Sequence, residues 1–338
     1  DHQIYGYTRW NHHDFKSSIT TYFKRRFNTD MEEDWILYSP SVMYSVSLLI
    51  RLLSQPHDKV LTMNPMYDAF INVIKENDRE LLSHHLIKEE GTFKIDFDVF
   101  EKQAQESTLL LLCAPHNPTG RIWSDEEMHR MIEICKKYQV KIISDEIHMD
   151  IRIKDAKHHP LMKYYGEYKD IFTASSSSKT LNTPGLIGSY VIIPDEKIRD
   201  EFLGVTRRRD FLNSASILGM YATMIGYTQC DDYIDQLNEY IRGNMELVEN
   251  FIRDELKDFK FQRPEATYLA WIDARYVPFT SDEIQDALVN VGGVAIMKGE
   301  IYGENGAKYL RMNLGCPRSK IEEGLKRFKK AMDYLYNK

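Results

Sequence analysis

The sequence predicts an α/β protein built on a mainly parallel sheet. Three observations carry that expectation. Strand-like and helix-like runs alternate through the first two thirds of the chain. Residues 108–113, Thr-Leu-Leu-Leu-Leu-Cys, are nearly all apolar with no alternation, as a strand covered on both faces requires. Three residues able to do chemistry, Asn117, Asp145 and Lys179, each fall just past a strand run, where parallel α/β sheets place ligands.

The chain has 338 residues, enough for two domains, and the pattern changes near residue 235. We expect a large domain over 1–235 and a smaller α+β domain over 236–338. Hydrophobic residues make up 43% and charged residues 28%, which excludes a disordered chain. Lys and Arg total 44 against 51 Asp and Glu, a net charge of −7 that argues against general nucleic-acid binding. The basic run Arg207-Arg208-Arg209 reads as a helix surface or a phosphate-proximal patch. Cys113, Cys135, Cys230 and Cys316 show no CxxC pairing and no histidine spacing suited to zinc, so no metal is expected. Cys113 and Cys135 read as small core residues. Reduced thiols, no bilayer-length apolar run and no signal-peptide pattern fit a cytoplasmic protein without a membrane partner. The opening Asp1-His2-Gln3 reads as the interior of a longer chain.

Taken in order, residues 4–10 are an aromatic-rich loop. Residues 14–27 carry Phe15, Ile19, Tyr22 and Phe23 at helical spacing. A strand at 35–38, the break Ser39-Pro40-Ser41 and a helix over 42–53 together make a helix N-terminus that can receive an anion; a serine-capped helix without ligand is the plain alternative. A strand at 60–63 ends at Asn64-Pro65, and a helix opens over 66–70. Strand and helix candidates follow at 80–86 and 95–100. The run 108–113 ends in the turn cluster Ala114-Pro115-His116-Asn117-Pro118-Thr119-Gly120. Ser124-Asp125-Glu126-Glu127 caps a helix to about residue 138. Strands at 140–144, 171–174 and 188–193 complete the large domain. The smaller domain reads as a long helix over 233–256, an alternating strand at 268–273, a helix over 281–291, an apolar stretch at 294–297, a glycine-rich loop with Gly299, Gly303 and Gly306, a strand at 309–313 and a helix over 319–336.

The chemistry centres on Ser175-Ser176-Ser177-Ser178-Lys179-Thr180. A lysine past a strand end, among small hydroxyls at the floor of a pocket, can lose its proton and condense with an aldehyde. Pyridoxal phosphate is the aldehyde considered, and it needs four things from a protein. Lys179 can take the aldehyde, and Asp145 can keep the ring nitrogen protonated. Asn117 can donate to the ring oxygen. Ser41 and Val42, through backbone N–H groups, with Ser176, can hold the phosphate. Tyr67 can stack on the ring. Each has a plain alternative: a surface lysine, a capping aspartate, an Asn-Pro turn, a half-buried tyrosine. Found together past strand ends, they support one another.

These stretches, with Gly6-Tyr7-Thr8-Arg9-Trp10, Pro65-Met66-Tyr67-Asp68-Ala69-Phe70, Asp145-Glu146-Ile147-His148-Met149-Asp150 and Arg311-Met312-Asn313-Leu314-Gly315-Cys316-Pro317-Arg318, span nearly the whole chain. The sequence closely resembles the fold-type I (aspartate aminotransferase-like) pyridoxal-phosphate enzymes and, within them, the MalY/PatB-type cystathionine β-lyases, or C–S lyases. The resemblance implies that Lys179 carries the cofactor and moves the Cα proton. Tyr67 would stack and is counted among the catalytic residues. Arg311 would grip the substrate carboxylate, and Tyr7 would reach a partner's cofactor phosphate across a homodimer. Relative to aspartate-aminotransferase-like enzymes, His148 stands in place of a tyrosine near the ring oxygen, and Ile187 in place of a phosphate-binding arginine. The role of His148 stays open. The family has a further N-terminal segment of about fifty residues completing the small domain, which this sequence lacks. The expected activity is β-elimination, releasing a thiol, pyruvate and ammonia from cystathionine, cystine or S-alkyl cysteines. The alternatives are an aminotransferase of class I/II and a non-catalytic regulatory protein on the same fold.

Overall fold

The computed structural model describes residues 6–8, 11–212 and 214–338. The first part of the chain runs α1 (His13–Phe27), β1 (Ile36–Ser39), α2 (Val42–Leu53), β2 (Lys59–Asn64), α3 (Asp68–Lys75), β3 (Glu80–His85), β4 (Ile87–Glu89), β5 (Thr92–Lys94), α4 (Phe97–Ala104), β6 (Leu109–Cys113), α5 (Asp125–Tyr138) and β7 (Lys141–Asp145). It continues with β8 (Ile171–Ser175), β9 (Ser189–Ile192), α6 (Glu196–Gly204), α7 (Ile217–Gln229) and α8 (Asp231–Glu255). The last part holds β10 (Leu269–Asp273), α9 (Ser281–Ala287), β11 (Met297–Lys298), β12 (Tyr309–Asn313) and α10 (Arg318–Tyr336).

Seven strands form one sheet in the order β1-β9-β8-β7-β6-β2-β3. The pairs β8–β7, β7–β6, β6–β2 and β2–β3 are parallel, while β9 pairs antiparallel with both β8 and β1. Only β9 therefore runs against the rest. The uniform apolar run of β6 has a direct cause. Leu110 and Leu112 pack into the core on one face with α1 and α5, whereas Leu109, Leu111 and Cys113 pack on the other with α2 and α3. With both faces covered, an apolar side chain suits every position of this strand. Truncating Leu111 to Ala should cost about 2–5 kcal/mol, because neighbours on both sides limit collapse into the void.

Helix starts follow local capping chemistry. Ser124 Oγ accepts from Glu127 N at 3.2 Å, and Glu127 Oε2 accepts from Ser124 N at 2.8 Å, a reciprocal cap of α5. A second sheet, β10-β12-β11, packs with α8, α9 and α10 around its own apolar core. The expected division at residue 235 falls inside α8.

The structure departs from the sequence reading in several places. β9 is antiparallel. The hairpin of β4 and β5, with three residues in each strand, has no counterpart in that reading, nor do α6 and α7. β10 is buried along its whole length rather than on alternate residues, because α-helices cover one face and Phe93, Tyr302 and Tyr309 meet Trp271 on the other. The helix expected over 281–291 is α-helical to Ala287 and continues as a π turn, Leu288–Gly292. Arg207, Arg208 and Arg209 lie in another π turn, Val205–Arg209, that extends α6. Ile4, Tyr5, Arg9 and Trp10 of the expected aromatic loop lie outside the described residues. Among the described residues no helix is long and apolar enough to cross a membrane.

Candidate active site

The sheet register builds the site. Cys113, the last residue of β6, pairs with Asp145, the last of β7, and Asp145 pairs with Ala174 in β8. Three strand ends thus finish in one row, and the loops beyond them open on one side. A cavity of ≈ 350 Å³ sits there. Its lining includes Ser41, Val42, Tyr67, Asn117, Asp145, Ser176 and Lys179 from the large domain, and Arg311 from β12. Every residue singled out from the sequence is therefore at this cavity except Tyr7, which is 99% exposed on the chain's surface.

Asp145 is buried at one wall, and its Oδ1 accepts only from Ile147 N, at 3.1 Å. Burial pushes its carboxyl up to about 7, opposed by that hydrogen bond and by the Lys179 charge, while Glu146 adds to the rise. Asn117, 6% exposed, accepts from Arg311 Nη1 at 3.1 Å through its Oδ1. Its Nδ2 has no hydrogen-bond partner among the described residues. The Arg311 guanidinium lies 4.5 Å from the centre of the Tyr302 ring, a cation–π support from the 3-10 turn Gly299–Tyr302. Burial also raises the Tyr67 hydroxyl.

Ser41 caps α2, its Oγ accepting from Tyr44 N at 3.0 Å. The first amides of α2 lack helical acceptors and point toward the cavity end of the helix. Ser176 is buried, and its hydroxyl donates to Gly188 O and contacts Ser178 Oγ at 2.9 Å. It shapes the cavity with a hydroxyl already engaged inside the protein.

Lys179 corrects one expectation. It is not sunk at a pocket floor but exposed at the cavity rim. The turn beyond β8, closed by Leu181 N to Ser177 O at 2.9 Å and Thr183 N to Ser178 O at 2.9 Å, lifts it there. Its charge still acts on both Asp145 and His148.

His148 also lines the cavity. Its Nδ1 is sealed from solvent and has no hydrogen-bond partner among the described residues, and its ring meets Tyr268 edge-on at 5.6 Å. Burial and the nearby Lys179 and Arg311 charges push its imidazole down to about 3, so it is neutral. The sequence reading missed Tyr268 and Asn313 as lining residues. Asn313 had a signal: it lies two residues past Arg311 on one strand, hence on the same face. Ile187 lines the cavity beside Gly188 and Ser189, 52% exposed.

A second cavity, ≈ 630 Å³, lies between β5 and the end of α8. Several of its basic residues already have carboxylate partners, as Arg121 with Glu127 and Glu265, Arg263 with Glu249, and Lys88 with Asp273.

The residues of the smaller cavity fit pyridoxal phosphate. It offers a buried acid for a ring cation, a free amide donor for a ring oxygen, an open helix N-terminus for an anion, and an amine within electrostatic reach of the acid.

The model of one protein family, Aminotransferase class I and II, matches residues 1–328. Protein MalY of Escherichia coli (strain K12) is 35% identical over 326 residues, 96% of this chain and 83% of the relative. Cystathionine beta-lyase PatB of Bacillus subtilis (strain 168) is 32% identical over 335 residues, 98% and 86% of the two chains. Among solved structures, a PLP-bound putative aminotransferase from Clostridium difficile 630 superposes with a TM-score of 0.94 at 36% identity, covering 98% of this chain and 85% of its own. Cystalysin from Treponema denticola, which contains a pyridoxal 5'-phosphate cofactor, gives 0.92 at 30% identity, covering 98% and 84%.

Proposed function

The chain belongs to the class I and II aminotransferase family, and we propose that within it the protein is a pyridoxal-phosphate-dependent carbon–sulfur β-lyase. It acts on a small amino acid bearing sulfur at Cβ, cystathionine above all, with cystine or S-alkyl cysteines as further substrates. The products are a thiol, pyruvate and ammonia. One observation carries the cofactor reading: Asp145 at the end of β7, and Asn117 and Lys179 just past the ends of the neighbouring parallel strands β6 and β8, share a single cavity. The choice of elimination over transamination is supported by the similarity to cystathionine beta-lyase PatB across 98% of this chain.

When bound, pyridoxal phosphate supplies an electron-accepting ring that stabilises negative charge at the substrate Cα. Lys179 Nζ would hold the cofactor aldehyde and, once displaced by substrate, take the proton from Cα and return one to the departing sulfur. Asp145 would accept a hydrogen bond from the protonated ring nitrogen, and the ring cation would draw its own carboxyl back to the ionised form. Asn117 Nδ2 would donate to the ring oxygen while its Oδ1 holds Arg311 in place. Arg311 would bind the substrate α-carboxylate through its guanidinium fork. Tyr67 would cover the ring face. Ser41 and the first amides of α2, with Val42 and Ser176 shaping the wall, would receive the phosphate.

We also infer a homodimer. Leu218, Tyr221 and Ile225 form an exposed apolar stripe on α7, whose Gly219 packs closely on the Ile187 backbone at the cavity lip. In such a dimer Tyr7 would reach the partner's cofactor phosphate. The four cysteines are free, which suits a reducing cytoplasm.

The decisive experiment is incubation with cystathionine in the absence of any keto-acid acceptor. Pyruvate and homocysteine should appear together. An absolute requirement for an acceptor would overturn the lyase reading in favour of transamination.

A further inference from the structure

The lysine turn is held from behind by a buried carboxylate that has no place in the chemistry above. Asp150 closes the stretch Asp145-Glu146-Ile147-His148-Met149-Asp150 and is 4% exposed. Its Oδ1 accepts from the Tyr22 hydroxyl at 2.6 Å, and its Oδ2 from the Thr180 hydroxyl at 2.8 Å. Its main-chain oxygen accepts from Asn238 Nδ2 at 2.9 Å. Tyr22 in turn stacks flat against Tyr227, centroids 3.9 Å apart. One side chain thus fastens the residue directly after Lys179 to α1, and its backbone is fastened to α8. A second tie holds the other side of the turn, Ser177 Oγ lying 2.9 Å from Thr223 Oγ1 of α7.

A buried carboxylate is costly, and packing alone could join α1 to the sheet without one. A carboxylate offers two separate acceptor oxygens and no donor, so each oxygen can take one of the two hydroxyls. Thr180 is 1% exposed and β-branched, so the bond to Asp150 fixes its χ1 and with it the peptide that carries Lys179. Resting on the cofactor reading above, we propose that Asp150 is a positioning residue for the reaction. Through Thr180 it sets the direction from which Lys179 Nζ meets the cofactor and the substrate Cα. The two acids at the ends of one six-residue stretch then divide the labour: Asp145 faces the ring, and Asp150 aims the amine.

The test uses the holoenzyme with Thr180→Val, Thr180→Ser, Tyr22→Phe and Asp150→Asn. Thr180→Val keeps shape and volume but removes the hydroxyl. It should lower kcat about tenfold with little change in KM, as a misdirected reacting group does. It should also move the pH midpoint of the lysine-bound cofactor's visible absorbance by about half a unit or more. Thr180→Ser should restore both. Tyr22→Phe should lower Tm and leave the absorbance midpoint in place. Adding Thr180→Val to Asp150→Asn should produce no further loss of kcat, because the two act as one unit. A folded Thr180→Val enzyme with parental kcat and parental absorbance titration would overturn the inference, whatever Asp150→Asn does to folding. A parental protein that fails to show the lysine-bound absorbance at all would overturn the cofactor reading, and this inference with it.

Discussion

Arg311 and Asn117 share a hydrogen bond of 3.1 Å that joins β12 of the small sheet to the loop beyond β6 of the large one. The bond spends the acceptor end of the Asn117 amide on the guanidinium and leaves its donor end for the cavity. In the proposed reading, substrate grip and cofactor contact would thereby meet in one side chain. Arg311→Lys removes the fork while keeping the charge, and a point charge does not reproduce a bidentate hold. We expect kcat/KM for cystathionine to fall about a hundredfold, mostly in KM, in steady-state pyruvate assays. Parental KM in Arg311→Lys would remove Arg311 from the carboxylate site.

Lys179→Ala should leave a protein that still takes up pyridoxal phosphate but cannot be fixed to it by borohydride. Turnover should fall by about three orders of magnitude or more, since the covalent anchor and the proton carrier are lost together. Mass spectrometry of the reduced parent should place the label on Lys179; a label on another lysine defeats the assignment.

Asp145 gives a pH signature in the cofactor-free protein. Its carboxyl is raised to about 7 by burial, against an ordinary value near 4 when unfolded. The folded state then holds a proton that the unfolded state has lost, so stability falls as pH rises from about 4 to about 7. Asp145→Asn removes that loss. Cofactor-free Asp145→Asn should be the more stable of the two at pH 8, by a few kcal/mol on the order of this shift, and the gap should close toward pH 4. Equal Tm values across that range would show Asp145 ionising freely in its pocket. The same variant, loaded with cofactor, should be nearly inactive, because a neutral amide cannot hold the ring nitrogen protonated.

His148 works in the opposite sense. Its imidazole is held down to about 3, so in acid the unfolded chain takes a proton that the fold refuses. Stability contributed by the neutral ring is complete above about 6.5 and drains away as pH falls toward 3. His148→Phe should flatten the acid limb of a stability–pH curve by about one proton between pH 6 and 4. An unchanged slope would place the parental ring in contact with solvent.

The apolar stripe on α7 gives a prediction about assembly. Leu218→Glu combined with Ile225→Glu puts two charges on an exposed surface, at little cost to an isolated chain. Sedimentation should show a dimer for the parent and a monomer for the variant, with pyruvate formation lost in step; a monomeric parent would overturn the proposed dimer. A variant that stays dimeric would place the contact on another face.

Much of this architecture is written locally in the chain. β6 announces itself because burial on two faces suits a continuous apolar run, whereas β7 and β8 show only short apolar runs, Ile142-Ile143 and Ile171-Phe172, followed by small buried hydroxyls and then by the polar residues at the strands' carboxyl ends. The direction of β9 is not written that way, since Ser189, Tyr190, Val191 and Ile192 pack equally well in either sense. α7 was hidden because its apolar residues surround the helix, with Leu218, Tyr221 and Ile225 outside and Met220 and Tyr227 inside. It carries no single stripe, and Gly219 and Gly226 weaken the helical signal further. Tyr268 and Tyr302 were lost among 21 tyrosines; only the pairing of β10 with β12, and the 3-10 turn Gly299–Tyr302 folding back on β12, bring them to Arg311. The exposed stance of Lys179 depends on a turn whose shape comes from ties to α1, α7 and the 145–150 loop, all distant in sequence.

The row formed by Cys113, Asp145 and Ala174 has a consequence for re-engineering. That row is one rung carried across three paired strands, whereas Arg311, Asn313 and Tyr268 come from a separately packed sheet. A library confined to Asn313 and Tyr268, which leaves the Arg311–Asn117 bond alone, can therefore vary which amino acid enters without loosening the ladder beneath.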